Sequence, residues 1–283
     1  MGSASPPTPA SISRPAPPTR TLRRVVTAVV VAGIVLAALD LGLSPADLVM
    51  APSRLARFAR LMFLPPDIAY TGRALDGMVQ SIQMAWIGTL IAAIGSLPLG
   101  LVGARNVTGG PVGAAVRLVL NGFRAVPELV LAIVLITIVG LGAFPGAVAI
   151  GIHSIGTLGK LTAEAVESIA PGPVEAARAA GAGRAGVYRW GVLPQVAPEI
   201  VAFWLYRFEI NVRASAVLGL VGAGGVGAVL QNTLTFRRWD KAGMTILVVI
   251  VATVVIDALS SAARRRIIGG GTPGMVVSEE VKA

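Results

Sequence analysis

The sequence lacks cysteine and holds a single histidine, His153, among its 283 residues. The absence of thiols excludes disulfide bonds and thiolate metal sites, and one histidine cannot form a metal site by itself. Charge is also scarce, because Asp, Glu, Lys and Arg make up 13% of the chain, against roughly 25% in soluble domains. Hydrophobic residues make up 54% and occur in long runs. These features predict an integral membrane protein.

Six apolar runs are long enough to cross the hydrocarbon layer, which takes roughly 20 helical residues. They lie near 25–43, 79–103, 124–144, 145–165, 196–220 and 242–263. The first run is long and lacks a clear cleavage site, so it is interpreted as a retained span and not as a signal peptide. The sequence predicts an all-α membrane domain over 25–268 with six transmembrane helices. A disordered cytoplasmic tail over 1–24 and a second cytoplasmic tail over 269–283 are expected to flank it.

Basic residues predict the orientation. With the N-terminus inside, most Lys and Arg residues fall on the inner side, which places both termini in the cytoplasm of a bacterial cell and the chain in its plasma membrane. The net charge of +10 then reflects loops beside anionic lipid. Clusters of aromatic and basic residues that would bind nucleic acid are absent.

The glycine-rich stretch at 219–227 contains the Gly-x-Gly-x-x-Gly spacing of dinucleotide-binding loops. That fingerprint requires a strand before the glycines and a helix after them, whereas here the glycines follow an apolar run. We interpret the stretch as a tight turn after the fifth span, near an outer gate, where glycine permits left-handed backbone and close packing. The glycines of this turn are Gly219, Gly222, Gly224, Gly225 and Gly227.

A cytoplasmic segment over 171–195 is expected to contain a short helix from Val174 to about Trp190. Glu175 would lie in its first turn, where a carboxylate favours the helix dipole, and Leu193-Pro194 would end it. Its glycines weaken a helix by about 1 kcal/mol each, which suggests close approach of a partner.

This segment resembles the signature of the permease subunits of ABC importers. The signature is Glu-Ala-Ala, three residues, Gly, nine residues, Ile, one residue and Leu-Pro. The matching residues are Glu175, Ala176, Ala177, Gly181, Leu193 and Pro194. Position 191 is Gly where the signature has Ile. The resemblance implies the MetI-like transmembrane domain of type I importers, with a coupling helix that docks on an ATPase and to which Arg178 and Arg184 also belong.

The same resemblance implies the partners. Two permease copies line a central path, two ATPase subunits bind ATP with magnesium, and an extracytoplasmic solute-binding protein delivers the substrate. The chain itself is expected to bind no cofactor or metal and to catalyse no reaction. The stretch "GTLGKLT" at 156–162 fails the spacing of a phosphate-binding loop.

A second stretch, "LYRFEINVRASAVLGLVGAGGVG" at 205–227, resembles the fifth span of phosphonate-importer permeases, with Ala216 where that family usually has Thr. Its polar residues are assigned to the translocation path or to a structural charge network. They are Arg207, Glu209, Asn211, Arg213 and Ser215.

Spacing alone suggests how these charges pair. Glu209 and Arg213 are four residues apart and share a helix face, whereas Arg207 must face a partner helix, a second copy or a water-filled path. Glu128, Glu199 and Asp257 are expected to snorkel to the interface. The sequence favours an importer permease for phosphonates or related phosphorus oxyanions. Another type I importer, for phosphate, phosphite or another small solute, and an ion-coupled secondary transporter remain the alternatives.

Overall fold

The computed structural model describes residues 20–42 and 44–269, so most of both predicted tails lies outside the described residues. Every regular element in these ranges is helical. The α-helices are α1 (Arg20–Asp40), α2 (Pro45–Phe63), α3 (Thr71–Gly103), α4 (Gly110–Ala125), α5 (Glu128–Val139), α6 (Ala143–Glu167), α7 (Pro171–Ala179), α8 (Arg184–Gly186), α9 (Leu193–Leu218), α10 (Gly225–Thr235) and α11 (Trp239–Gly269). Wider π-helical turns cover Val187–Val192 and Gly219–Ala223, and a 3-10 turn covers Ile68–Tyr70.

The described residues form two compact units, which divide between Ala59 and Arg60. The first unit contains α1 and most of α2. Helix α1 begins at Arg20, inside the stretch expected to be a tail, and its apolar side chains are exposed. The second unit contains all remaining described helices, and the candidate functional residues belong to it.

Helices α3 and α6 pack closely along each other at the centre of the second unit. A Cβ atom at Gly88 would lie 2.6 Å from Ile150 Cγ2, and one at Gly100 would lie 2.8 Å from the Gly159 carbonyl oxygen. Only glycine fits at such contacts, because the two backbones approach directly. A core of buried side chains that includes Met84, Ile150 and Leu218 joins α3, α6 and α9.

Three helical stretches in the described ranges are long and apolar enough to cross a membrane: Thr21–Asp40, Ile68–Gly103 and Trp239–Ile267. The number rises to up to five if each of two bent helix pairs is one span. Helix α6 is not among these stretches, and it carries the polar side chains of His153, Lys160 and Glu164.

The structure differs from the single span expected over 124–144. Helix α5 has 12 residues, a length of about 18 Å at 1.5 Å per residue, and it is bent by 82° from α4. The cause is Pro127, which disfavours helical backbone at the preceding residue, and Val126 is extended (φ −89°, ψ 118°). Gly140, with φ 100°, ends α5. In α3, by contrast, the helix continues through Pro98.

Candidate functional site

The segment over 171–195 is not one helix. Helix α7 ends at Ala179, and Gly181 follows in a left-handed conformation with φ +77°. Its N–H donates to the Arg178 carbonyl oxygen at 2.9 Å, and the N–H of Ala182 donates to the Ala177 carbonyl oxygen at 3.1 Å. This pattern of bonds is a glycine-terminated helix end. The continuous helix expected up to Trp190 is therefore wrong.

Two further expectations about this segment are corrected. Helix α7 begins at Pro171, so Glu175 lies beyond the first turn. Leu193 and Pro194 begin α9 and do not end a helix, because proline in the first turn of a helix loses no hydrogen bond.

Gln195 holds the start of α7 to the start of α9. Its Oε1 accepts the Ala170 N–H at 3.1 Å, and its Nε2 donates to the carbonyl oxygens of Ala170 and Gly191. At Gly191 a Cβ atom would lie 3.0 Å from Val174 Cα. Glycine at this position, where the importer signature has Ile, therefore lets the π-helical turn lie against α7.

The outer surface of the segment is exposed. Glu175, Ala176 and Arg178 are exposed on α7, and Trp190 is 69% exposed, with the Arg189 guanidinium 5.4 Å from its ring centre. Ala177 is half-buried, and the side chain of Arg184 lies outside the described part of the structure. The segment thus presents both charge and an aromatic ring at one end of the bundle.

A line of polar side chains crosses the interior of the second unit. The Arg207 Nε donates to Ser154 Oγ at 2.8 Å, Ser154 donates to Asn211 Oδ1 at 3.2 Å, and the Asn211 Nδ2 donates to Thr89 Oγ1 at 2.9 Å. Arg207 also lies 3.6 Å from Glu128 Oε2. These contacts join α9 to α3, α5 and α6. Arg207 therefore faces partner helices of its own chain, one of the three surroundings that spacing left open.

A second charge cluster lies on another face of α9. Glu209 accepts from Arg213 Nη2 at 3.0 Å and from Arg264 Nη1 at 3.2 Å. Arg213 Nη1 lies 3.7 Å from Asp257 Oδ2 on α11. The pairing of Glu209 with Arg213 is as the spacing predicts. Glu128 contacts Arg207, and Asp257 contacts Arg213. That these two carboxylates reach the membrane interface stays a prediction.

The glycine-rich turn links α9 to α10. Gly222, Gly224 and Gly225 have positive φ, as expected. Gly219 and Gly227 contribute close approach, since a Cβ at Gly227 would overlap the Ala216 carbonyl oxygen. Helix α10, which follows the turn, was expected to be loop. Helices lie on both sides of these glycines, so the dinucleotide fingerprint is excluded here, whereas a gating role stays a prediction.

Several residues of the site did not stand out in the sequence. Gln80 Oε1 accepts the Gly225 N–H at 2.7 Å, and Ser81 Oγ accepts the Val226 N–H at 3.0 Å. Together they fix the start of α10 to α3. The available signal was that Gln80 and Ser81 are polar side chains at the start of an apolar run. Ser215, a candidate for the translocation path or the structural charge network, donates within its own helix to the Val212 carbonyl oxygen at 2.8 Å.

No group of three or more His, Cys, Asp or Glu side chains is placed to hold a metal ion within residues 20–42 and 44–269. Two other features of this part of the molecule bear on its function. The buried side chains of Arg207 and Glu209 on α9 form ion pairs with other helices, and residues 171–192 present an exposed surface.

Comparison with known proteins identifies relatives of this arrangement. The family model for the binding-protein-dependent transport system inner membrane component matches residues 96–269. The phosphite transport system permease protein PtxC of Stutzerimonas stutzeri is 42% identical over 187 residues, covering 66% of this chain and 68% of the relative. The phosphate-import permease protein PhnE of Mycolicibacterium smegmatis is 43% identical over 172 residues, covering 60% of this chain and 32% of that longer protein.

Solved structures show the same fold. A chain of the MetNI methionine ABC transporter in an inward-facing conformation aligns with a TM-score of 0.61 at 20% identity, covering 68% of this chain and 95% of that chain. The predicted fold class, an all-α MetI-like membrane domain, is confirmed. The chain therefore belongs to the family of binding-protein-dependent transport system inner membrane components, as a type I ABC importer permease similar to phosphite and phosphonate permeases.

Proposed function

We propose that this permease carries phosphonates or related phosphorus oxyanions across the plasma membrane in an ATP-driven importer. The observation that carries the proposal is the 42% identity over 187 residues with a phosphite transport permease. A putative cryptic phosphonate transport permease protein, PhnE2 of Escherichia coli, is 46% identical over 102 residues. The family match favours this mechanism over an ion-coupled secondary transporter.

The segment over 171–195, which begins with α7, is the proposed contact with the ATPase. Two exposed charges, Glu175 and Arg178, and the exposed Trp190 lie on it. Gln195 joins α7 to α9, and α9 carries the buried ion pairs. A displacement of α7 would therefore reach the interior of the bundle through α9. In this proposal two ATPase subunits supply ATP with magnesium, and the permease itself binds neither.

The remaining parts of the proposed assembly are those implied by the resemblance to ABC importers. A second copy of the chain completes the path, a solute-binding protein delivers the oxyanion from outside, and both termini lie in the cytoplasm. The end of the bundle that carries α7 would then face the cytoplasm and the ATPase.

Uptake into proteoliposomes tests the proposal. The full chain is reconstituted with its cognate ATPase and binding protein, and uptake of radiolabelled phosphite, phosphate and methylphosphonate is measured with and without ATP. We expect ATP-dependent uptake of at least one of the three and none of radiolabelled methionine. Uptake driven by an ion gradient without ATP, or transport limited to solutes that contain no phosphorus, would contradict it.

A further inference from the structure

One face of α3 is polar at the end of the bundle opposite α7. Arg73, Asp76, Gln80 and Gln83 follow one another at helical spacing, which places them on one side of the helix, and all are exposed. With Asn232 of α10 they line a vestibule of about 870 Å³. The far end of α3 lies about 30 Å away from Gln83 at 1.5 Å per residue, where Leu101 packs with Val174 of α7 in one apolar cluster.

This polar face is not suited to lipid. Helix α3 is long and apolar enough to cross a membrane, and amide or charged side chains within such helices face protein or a water-filled cavity. The exposed positions that continue the same face, Ile87, Leu90 and Ile94, are all apolar. The polar lining is therefore confined to one end of the helix, beside α10.

Gln80 has a fixed orientation in this vestibule. The Gly225 N–H lies 2.7 Å from its side chain, and a backbone N–H can only donate, so the side-chain atom that it meets must be the oxygen Oε1. The Nε2 group, which can only donate, is then the part of Gln80 that remains for a ligand. Such a fixed donor suits a negatively charged oxygen.

The charges around the vestibule favour an anion that retains a proton. Arg73 supplies a guanidinium, which suits the oxygens of a phosphorus oxyanion. Lys241 is held by Asp67 at 3.9 Å and lies 5.3 Å from the Tyr70 ring centre. Asp76 would repel a fully ionised anion but accepts a hydrogen bond from a P–OH group. The second proton of a phosphate monoester is lost with a pKa of about 6, so phosphate-type groups retain P–OH protons near neutral pH to an extent that sulfate does not.

We infer that this vestibule is an entry site for a phosphorus oxyanion, with Arg73 and the amide of Gln80 as donors and Asp76 as acceptor. The inference rests on the proposed function. It adds the side chains that select phosphorus oxyanions over sulfate.

Two substitutions at Gln80 separate ligand binding from a structural role. Gln80→Glu keeps an oxygen acceptor for the Gly225 N–H but replaces the donor with a negative charge, whereas Gln80→Leu removes both. Binding of radiolabelled phosphate and phosphite is measured on the full complex in nanodiscs. We expect Gln80→Glu to weaken binding about tenfold or more, the size of one lost hydrogen bond to a charged group, with thermal stability close to wild type.

Arg237→Gln is the matched control, because Arg237 is an exposed cation at the turn between α10 and α11 and does not line the vestibule. It should bind as wild type does, and Asp76→Asn should raise the affinity for sulfate relative to phosphate. Wild-type affinity in Gln80→Glu would overturn the inference, as would absence of binding to the unmodified complex.

The chain has no cysteine, so a single Gln83→Cys substitution gives a specific label. A membrane-impermeant maleimide added outside intact cells should modify this cysteine, and phosphite should slow the modification. Modification that phosphite and phosphate do not slow would overturn the inference. So would a disulfide between the cysteines of two copies, since it would place the polar face in a contact between permeases.

Uptake by the unmodified complex distinguishes a failure of the entry site from a failure of the proposed function. If the unmodified complex transports a phosphorus oxyanion but the Gln80 variants bind it normally, the entry site is wrong and the proposed function stands. If the unmodified complex transports none of the phosphorus oxyanions, the proposed function itself fails.

Discussion

The charged side chains of α7 are exposed, whereas Arg207 and Glu209 in the middle of α9 are buried, although only residues 180–192 separate the two helices. The side chains of Arg207 and Glu209 on α9 are each 9% exposed and contact partners on other helices. Glu175 and Arg178 on α7 are exposed. A buried charge is costly unless it is paired, so the α9 charges favour one arrangement of the helices. Exposed charges contribute little to stability and stay accessible to a partner.

The largest expected effect follows from removing Arg207. Arg207→Ala leaves Glu128 without its cation and Ser154 without its donor, and loss of one partner of a buried pair costs about 3–5 kcal/mol. We expect a large drop in the thermal unfolding midpoint of the purified chain in detergent.

The matched variant on the exposed side is Arg189→Ala, which removes the contact with the Trp190 ring. Its unfolding midpoint should stay close to wild type. Equal midpoints for the two variants would mean that the α9 charges do not hold the helices together.

The Glu209 cluster gives a smaller effect in its single variants. Arg213 is 47% exposed, so Arg213→Gln should cost less than about 1 kcal/mol, as for other exposed pairs, because Arg264 still pairs with Glu209 at 3.2 Å. The double variant Arg213→Gln/Arg264→Gln removes both cations from a buried carboxylate. Its loss of stability should exceed the sum of the two single losses.

Thermal unfolding of the four proteins in this cycle measures that coupling. Strictly additive losses would contradict a shared role of the two arginines. Arg178→Gln, on the exposed helix, serves as the control and should leave the midpoint nearly unchanged.

The sequence predicts the pairs within one helix better than the contacts between helices. The length of the apolar runs indicates an all-α membrane fold, and a spacing of four residues pairs Glu209 with Arg213 within one helix. The partners of Arg207 could not be predicted in this way. Ser154 and Glu128 lie on α6 and α5, and only the packed bundle brings them to α9.

Proline and glycine account for most of the local differences. The bend at Pro127 could not be predicted from the long apolar run, because hydropathy does not depend on the direction of the backbone. Density of glycine over 219–227 predicts an irregular turn correctly but obscures α10, whose 11 residues begin within it. In α7 the glycine of the importer signature ends the helix, a role that signature spacing alone does not reveal.

Substitution of Gly181 tests that role. Gly181→Ala places a Cβ at φ +77°, and left-handed backbone costs about 1–2 kcal/mol for a residue other than glycine. The strain is local to the end of α7, so the unfolding midpoint should fall only slightly. If α7 couples to the ATPase, transport-linked ATP hydrolysis should fall much more.

Gly183→Ala is its control, because Gly183 has no left-handed φ and no atom lies within 4 Å of an added Cβ. It should retain both stability and hydrolysis. A loss of coupling in Gly183→Ala equal to that in Gly181→Ala would show that coupling does not depend on the glycine-terminated end of α7.

Glu175→Lys should have the smallest effect on stability and gives the sharpest contrast with Arg207→Ala. Glu175 is exposed, and substitutions at such surface positions usually change stability by no more than about 0.5 kcal/mol. Reversal of its charge should nevertheless weaken co-purification with the ATPase and uptake by the reconstituted complex. Glu199→Lys, an exposed reversal on the first turns of α9, should leave both unchanged. If Glu175→Lys assembles and transports normally, exposure on α7 does not mark the ATPase contact, and the contrast between the two helices is one of stability alone.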